Sequence, residues 1–237
     1  MQRSISIIIP AYNEEKRLPA SLAAVREYLG RSSWDFAEVV VVDDGSRDRT
    51  VDVARAAGVR VLQNPGNRGK GYSVKHGALE ASGGWVLFTD ADLSAPIEDL
   101  EKLWGAAERS QAQVAIGSRA VDRSLVGVHQ PLLRELVGRF FNLVMRMVTG
   151  LPFRDTQCGF KLIEASAARQ VFSRQRLDGF GFDVEVLYIA QSLNYRCLEV
   201  AVRWNNVEGT KVSNWRGMLA FLDLLKVRWN GLLGRYR

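Results

Sequence analysis

The sequence is short of cysteine, of long apolar runs and of the usual nucleotide-loop signatures, and each shortage closes off a class of protein. Two cysteines in 237 residues, Cys158 and Cys197, cannot build a disulfide framework. No CxxC pair or Cys/His cluster offers zinc ligands, so both read as buried thiols of a reducing compartment. No stretch free of Asp, Glu, Lys and Arg exceeds ten residues, Ser4–Asn13 being one of that length. A membrane-spanning helix needs about 20 apolar residues, so none is expected. Met1-Gln2-Arg3 runs straight into a strand-like segment without a cleavage site, and no secretory signal is expected. Neither GxGxxG nor the P-loop spacing occurs, which weighs against a dehydrogenase or a P-loop NTPase.

What is present is ample apolar material and an uneven positive charge. Hydrophobic residues make up 47% of the chain, enough for the core of one α/β domain with or without an appended arm. The net charge is +6. Residues 203–237 carry +5 and residues 119–150 carry +3, leaving −2 for the rest. That distribution favours a local anionic partner over a uniform basic coat, and no aromatic-basic module or helix-turn-helix signal supports nucleic acid.

Short β-branched runs alternate with helical patterns through the first half. Strands are expected at residues 5–9, 39–42, 59–62, 85–89 and 114–116, the first stopped by Pro10. Helices are expected at 18–29, 50–57, 72–81 and 96–109. Near-continuous apolar strands alternating with helices predict a mostly parallel sheet covered on both faces. Ligands of such sheets bind beyond the carboxyl ends of the strands. The segments there are Tyr12-Asn13-Glu14, Asp43-Asp44-Gly45-Ser46, Asn64–Gly71 and Asp90-Ala91-Asp92.

Asp90 and Asp92 stand two apart at the end of an extended run, so their carboxylates share a side. A hard divalent ion, Mg²⁺ or Mn²⁺, completed by substrate phosphate oxygens, satisfies that pair. A helix cap before Pro96 would explain one aspartate but not both. Asp43-Asp44 reads either as a capped turn or as an acceptor for a nucleobase or ribose. The glycine-rich loop, with Arg68 and Lys70 before a helix, suits diphosphate oxygens. Two amphipathic helices are expected in the basic regions. Residues 132–151 bear a polar stripe of Glu135, Arg139, Asn142 and Arg146. Residues 217–233 set Asp223, Lys226 and Asn230 against Met218, Leu222, Leu225, Trp229 and Leu232. Each helix reads either as packed on the core or as interfacial at lipid headgroups.

The run from Ile8 to Glu14, Val42-Asp43-Asp44-Gly45-Ser46 and Asp90-Ala91-Asp92 together resemble the inverting family 2 glycosyltransferases of the GT-A fold. Later segments narrow the resemblance to enzymes that charge a polyprenyl phosphate with a sugar. These are Gly117-Ser118-Arg119, Asp155-Thr156-Gln157-Cys158-Gly159-Phe160-Lys161, Phe182-Asp183-Val184-Glu185 and Trp204 through Lys211. The likeness is greatest to dolichyl-phosphate β-glucosyltransferases, with dolichol-phosphate mannose synthases next, and it covers nearly the whole chain. Ser94 stands where many relatives have glutamine, and the C-terminal membrane helices of many relatives are not seen before Arg237.

The resemblance implies a GT-A catalytic domain over residues 1–214 and a basic amphipathic helix over 215–237. It implies that Pro10, Tyr12, Glu14 and Asp44 line the base and ribose, with Lys70 and Asp90 also on the nucleotide sugar. Asp90 and Asp92 would hold the metal, and Arg119, Arg134 and Lys211 would bind phosphate. Asp92, Asp155 and Arg119 are the catalytic candidates. Asp155 is the general-base candidate by location, but a phosphate monoester has a second pKa of about 6 and needs no base at neutral pH. Asp155 is therefore expected to orient a basic residue or a sugar hydroxyl. The expected donor is UDP-glucose, with GDP-mannose as alternative, and the acceptor is a polyprenyl phosphate. The expected location is the cytoplasmic face of an anionic membrane surface, with self-association to a homo-oligomer left open. A sugar nucleotidyltransferase and a non-catalytic nucleotide-sugar-binding protein are the competing readings.

Overall fold

A computed structural model describes residues 3–127, 142–205 and 214–237, the last of these with side chains from residue 222 onward. Seven strands form one sheet in the order β3-β2-β1-β4-β6-β5-β7. They are β1 (Ser4–Ala11), β2 (Phe36–Asp43), β3 (Arg60–Gln63), β4 (Trp85–Thr89), β5 (Val114–Ser118), β6 (Phe160–Glu164) and β7 (Cys197–Ala201). β6 runs antiparallel to both β4 and β5, while every other pairing is parallel, so the expected mostly parallel sheet is observed.

Strand alternation divides the core into two layers. Ile8, Val42, Phe88 and Ile116 face one side, where α3 (Lys70–Leu79), α6 (Ala165–Arg174) and α7 (Phe182–Ser192) pack. Ile7, Ile9, Leu87 and Ala115 face the other, against α1 (Leu18–Arg31), α2 (Thr50–Ala56) and α4 (Leu100–Ser110). A fifth helix, α5, covers 142–149, and α8 runs from Asn214 to Leu232.

Three expectations need correction. Pro10 does not stop β1, which continues to Ala11 beside β2. The β4 ladder has already ended at Ile8 opposite Phe88, so the missing proline N–H leaves that neighbour's pairing intact. α3 begins at Lys70, two residues earlier than its pattern indicated. Only Cys158 is fully buried; Cys197 is half-buried at the start of edge strand β7.

The antiparallel strand positions the site. Thr89 pairs with Phe160, so the segment entering β6 arrives at the edge where β4 ends. Arg119 follows β5 at the same edge. The neighbouring β1/β4 boundary is where strand order reverses, the usual crevice for ligands in open α/β sheets.

Candidate active site

The loops after β1, β2 and β3 are tied to one another by polar side chains. Asn13 donates its N–H to Ser46 Oγ (2.9 Å) and accepts from the Arg47 N–H at Oδ1 (2.8 Å). The Glu14 N–H donates to Thr50 Oγ1 at 2.8 Å. Pro10 and Tyr12 lie half-buried along this edge, and Glu14 is buried beside them. Asp43 accepts the Ser46 N–H at 3.2 Å, closing its turn.

Asp44 has a larger internal task. Its Oδ1 accepts from Asn64 Nδ2 and from the Arg68 N–H, both at 2.8 Å, and its Oδ2 accepts from the Gly69 N–H at 2.9 Å. The Arg68 and Gly69 N–H groups are thus committed to this carboxylate, and the loop's cationic side chains are what it offers to an anion. The glycine at 69 serves packing. With φ at 108°, a Cβ there would lie 2.4 Å from the Asp178 carbonyl oxygen. Lys70, the first residue of α3, is the part of the loop that reaches the next cluster.

That cluster is built on Asp90 and Asp92 after β4. Lys70 Nζ lies 2.6 Å from Asp90 Oδ1. Burial would lower the lysine pKa, but Asp90 and Asp183 more than reverse this and hold the ammonium charged. Arg17 is bound by Glu14 through Nε (2.7 Å) and Nη2 (2.5 Å), and its Nη1 stands 3.6 Å from Asp92 Oδ2. Ser94 donates both N–H (3.0 Å) and Oγ (2.9 Å) to Asp92 Oδ1, so the serine at this position fixes the carboxylate.

The donor set fits a hard divalent cation. Asp90 and Asp92 keep 30% and 21% of their side-chain surface exposed, and each has drawn a cationic side chain. Gly159 abuts the pair: a Cβ there would lie 2.1 Å from Asp90 Oδ2, so only glycine leaves that carboxylate its room. No group of three or more His, Cys, Asp or Glu side chains able to hold a metal occurs among the described residues. Two carboxylates are fewer ligands than a hard divalent ion takes, so an ion held here would need water and substrate oxygens to complete its shell.

Asp155 and Arg119 form the third part of the site. The Arg119 guanidinium grips Asp155 with Nε (2.7 Å) and Nη2 (2.8 Å), and its N–H adds a third bond at 3.0 Å. Burial alone would raise the Asp155 pKa; the charge and hydrogen bonds of Arg119 outweigh it and hold the carboxyl below its ordinary value. The guanidinium also lies over Trp204, 4.8 Å from the ring centroid. Arg134 and Lys211, the other expected phosphate ligands, lie outside the described residues.

Sequence reasoning passed over the buried charges behind this edge. Lys161, on β6 and fully buried, donates to the Cys158 carbonyl (2.6 Å) and to Asp183 on α7. This pair joins the two late motifs across the core and fixes the backbone preceding Gly159. Glu185 accepts from the Arg176 and Leu177 N–H groups and from the Tyr236 hydroxyl (2.7 Å). Ionisable residues inside otherwise apolar strand and helix patterns were the available signal.

The C-terminal helix, for which packing on the core and an interfacial position were both open, turns its apolar stripe outward. Leu222, Leu225, Trp229 and Leu232 are exposed, Trp229 by 61%, while Leu224, Val227 and Asn230 are buried. Asp223 packs on Gly181 and Asn230 is buried, whereas Lys226, from the same polar set, is exposed. On α5, Leu143 and Met147 are exposed and Met145 is buried. Glu135 and Arg139 lie outside the described residues. No helix among the described residues is long and apolar enough to cross a membrane.

Comparison with known proteins places these features in context. The model of glycosyl transferase family 2 matches residues 6–172. The dolichyl-phosphate beta-glucosyltransferase of Drosophila melanogaster is 38% identical over 98% of this chain, which spans 77% of that protein. The Homo sapiens protein of the same name is 36% identical over 99% of this chain, spanning 78% of its own length. Glucosyl-3-phosphoglycerate synthase from Mycobacterium tuberculosis, solved with Mn²⁺, uridine diphosphate and glucosyl-3-phosphoglycerate, superposes with a TM-score of 0.71 at 20% identity. That match covers 98% of this chain and 80% of the other, and it establishes a shared fold.

Proposed function

The chain belongs to glycosyl transferase family 2, and on that premise we propose that it moves glucose from UDP-glucose onto a dolichyl-type polyprenyl phosphate, with inversion at the anomeric carbon. The geometric observation that carries this reading is the strand edge itself. The pairs Asp90 with Lys70, Asp92 with Arg17, and Arg119 with Asp155 all follow strands at that edge or reach it, and Gly159 lies against Asp90. The near-full-length likeness to proteins named for that reaction supports the choice of sugar and acceptor.

Asp90 and Asp92 would hold Mg²⁺ or Mn²⁺, which when bound stabilises the charge of a departing nucleoside diphosphate. Lys70 would place its ammonium on the diphosphate oxygens. Pro10, Tyr12, Glu14 and Asp44 would border the base and ribose, Asp44 acting by holding the loop that carries Lys70. Arg119, with Arg134 and Lys211, would bind the acceptor phosphate.

That phosphate is largely dianionic above about pH 6, so it attacks without surrendering a proton to the protein. Asp155 acts accordingly as the orienting group of Arg119, to which both its oxygens are bound. Catalysis then rests on positioning the two anions at reacting distance and on electrostatic relief of the leaving group.

The lipid acceptor gives the exposed face of α8 a use. Leu222, Leu225, Trp229 and Leu232 would enter the headgroup region, flanked by Lys226 and Arg228, and hold the enzyme peripherally on the cytoplasmic face of an anionic membrane.

Release of nucleoside diphosphate tests the reading, with UDP-glucose and GDP-mannose in parallel and with metal and polyprenyl phosphate each present or omitted. Release that requires both metal and lipid phosphate and prefers UDP-glucose is expected. Preference for GDP-mannose would replace the sugar, and silence with folded protein in every reaction would overturn the transferase assignment.

A further inference from the structure

Lys70 occupies a position that two different ligands contest. Its ammonium sits 2.6 Å from Asp90 Oδ1, on a carboxylate a divalent ion would need. An ion and an ammonium cannot share that oxygen, because like charges at this distance repel strongly. Binding of the ion to Asp90 would weaken the lysine's hold on that carboxylate and favour its departure.

The surroundings determine what can move and where it can go. The backbone at the start of α3 is fixed, since the Gly69 N–H is held by Asp44 and the Tyr72 N–H by the Asp178 carbonyl (3.2 Å). Only the flexible lysine stem is free to swing. Arg17, the cation beside Asp92, is in contrast tethered twice by Glu14. The other carboxylates that act on Lys70 are Asp183, already bound to the buried Lys161, and Asp92, which stands beside Arg17 and would itself ligate the ion. Among the described carboxylates that act on it, a displaced Lys70 ammonium therefore finds none idle, and an incoming anion would receive it.

We propose that Lys70 couples the two ligands, so that a divalent cation and a nucleoside diphosphate each bind poorly alone and tightly together. The ion releases Lys70 from Asp90 as the diphosphate receives it. This rests on the transferase reading and adds to it the order of assembly. Linkage requires the effect to be reciprocal, and site-to-site couplings of this kind span about 5–150-fold.

The test uses Mn²⁺ and UDP as probes, with free Mn²⁺ followed by electron paramagnetic resonance and UDP by calorimetry. In the wild type, saturating UDP should tighten Mn²⁺ binding by about tenfold or more. In Lys70→Met, Mn²⁺ alone should bind about tenfold tighter than in the wild type, and the gain from UDP should shrink to the part that direct ligation of the ion by the diphosphate supplies. Lys70→Gln should behave likewise, which guards against a folding defect peculiar to one variant. A lysine that merely contacts phosphate would leave the affinity for Mn²⁺ alone unchanged, and that result overturns the coupling while leaving the transferase reading intact. Failure of the folded wild type to bind Mn²⁺ and UDP even together overturns both.

Discussion

Single residues at this edge are placed so that small changes have distinct signatures. Gly159→Ala adds a methyl group where Asp90 Oδ2 already stands, so the carboxylate must turn. Mn²⁺ affinity in the presence of UDP should fall by about 10–100-fold, the usual cost of disturbing a group that supports a metal ligand. Asp155→Asn separates orientation from proton transfer. Because the Asp155 pKa is depressed, the stability of its pair with Arg119 is present above the ordinary carboxylate range and lost only as the pH falls through the lower, folded-state value. The variant should turn over more slowly with an unchanged pH–rate profile near neutrality; loss of a titrating limb would make Asp155 the base. Asp183→Asn leaves Lys161 buried without its carboxylate, and about 3–5 kcal/mol of unfolding free energy should disappear in urea titrations. Lys161→Met with Asp183→Leu should recover most of it, since two apolar groups leave no charge stranded.

At the level of elements, α8 had two arrangements open to it, packed on the core or interfacial. The buried contacts belong to Leu224, Val227, Asn230 and the neighbouring Tyr236, whose hydroxyl reaches Glu185 on α7, so the apolar stripe is left outside. An apolar stripe turned outward, with Lys226 and Arg228 beside it, has the composition of an interfacial helix. Replacing Leu225 and Trp229 together by serine should abolish co-sedimentation with anionic vesicles while changing unfolding stability by no more than about 0.5 kcal/mol per site. Unchanged vesicle binding would point instead to contact with another protein or a second copy. Strand β6 is the other decisive element, because only its antiparallel course brings Gly159 to Asp90 and Asp155 to Arg119.

At the scale of the whole molecule, the two core layers bury what the chemistry does not need. Burial raises the thiol pKa of both Cys158 and Cys197 to about 12, so neither is nucleophilic at neutral pH. Thiol reagents at pH 8 should modify the folded protein slowly and react with both cysteines once it is unfolded in denaturant. Rapid modification of native protein with loss of activity would show that the β6 entry opens in solution.

How much of this was readable beforehand follows from the range over which each residue acts. Alternation and punctuation are local, so β1 to β5, α1 to α4 and the acidic pair at Asp90 and Asp92 are legible along the chain, within a few residues at their ends. The motif spelling also marked Asp155 and Arg119 as belonging to one site. The partnerships were not legible. Asp44 with the Gly69 loop, Lys70 with Asp90, and Lys161 with Asp183 join residues that are distant in sequence, and no local pattern encodes which carboxylate a cation will meet. The sequence by itself determined the strands, the helices and the inventory of charges. Only the tertiary structure decided how those charges pair, because an antiparallel strand and a helix turned outward depend on contacts across the whole sheet.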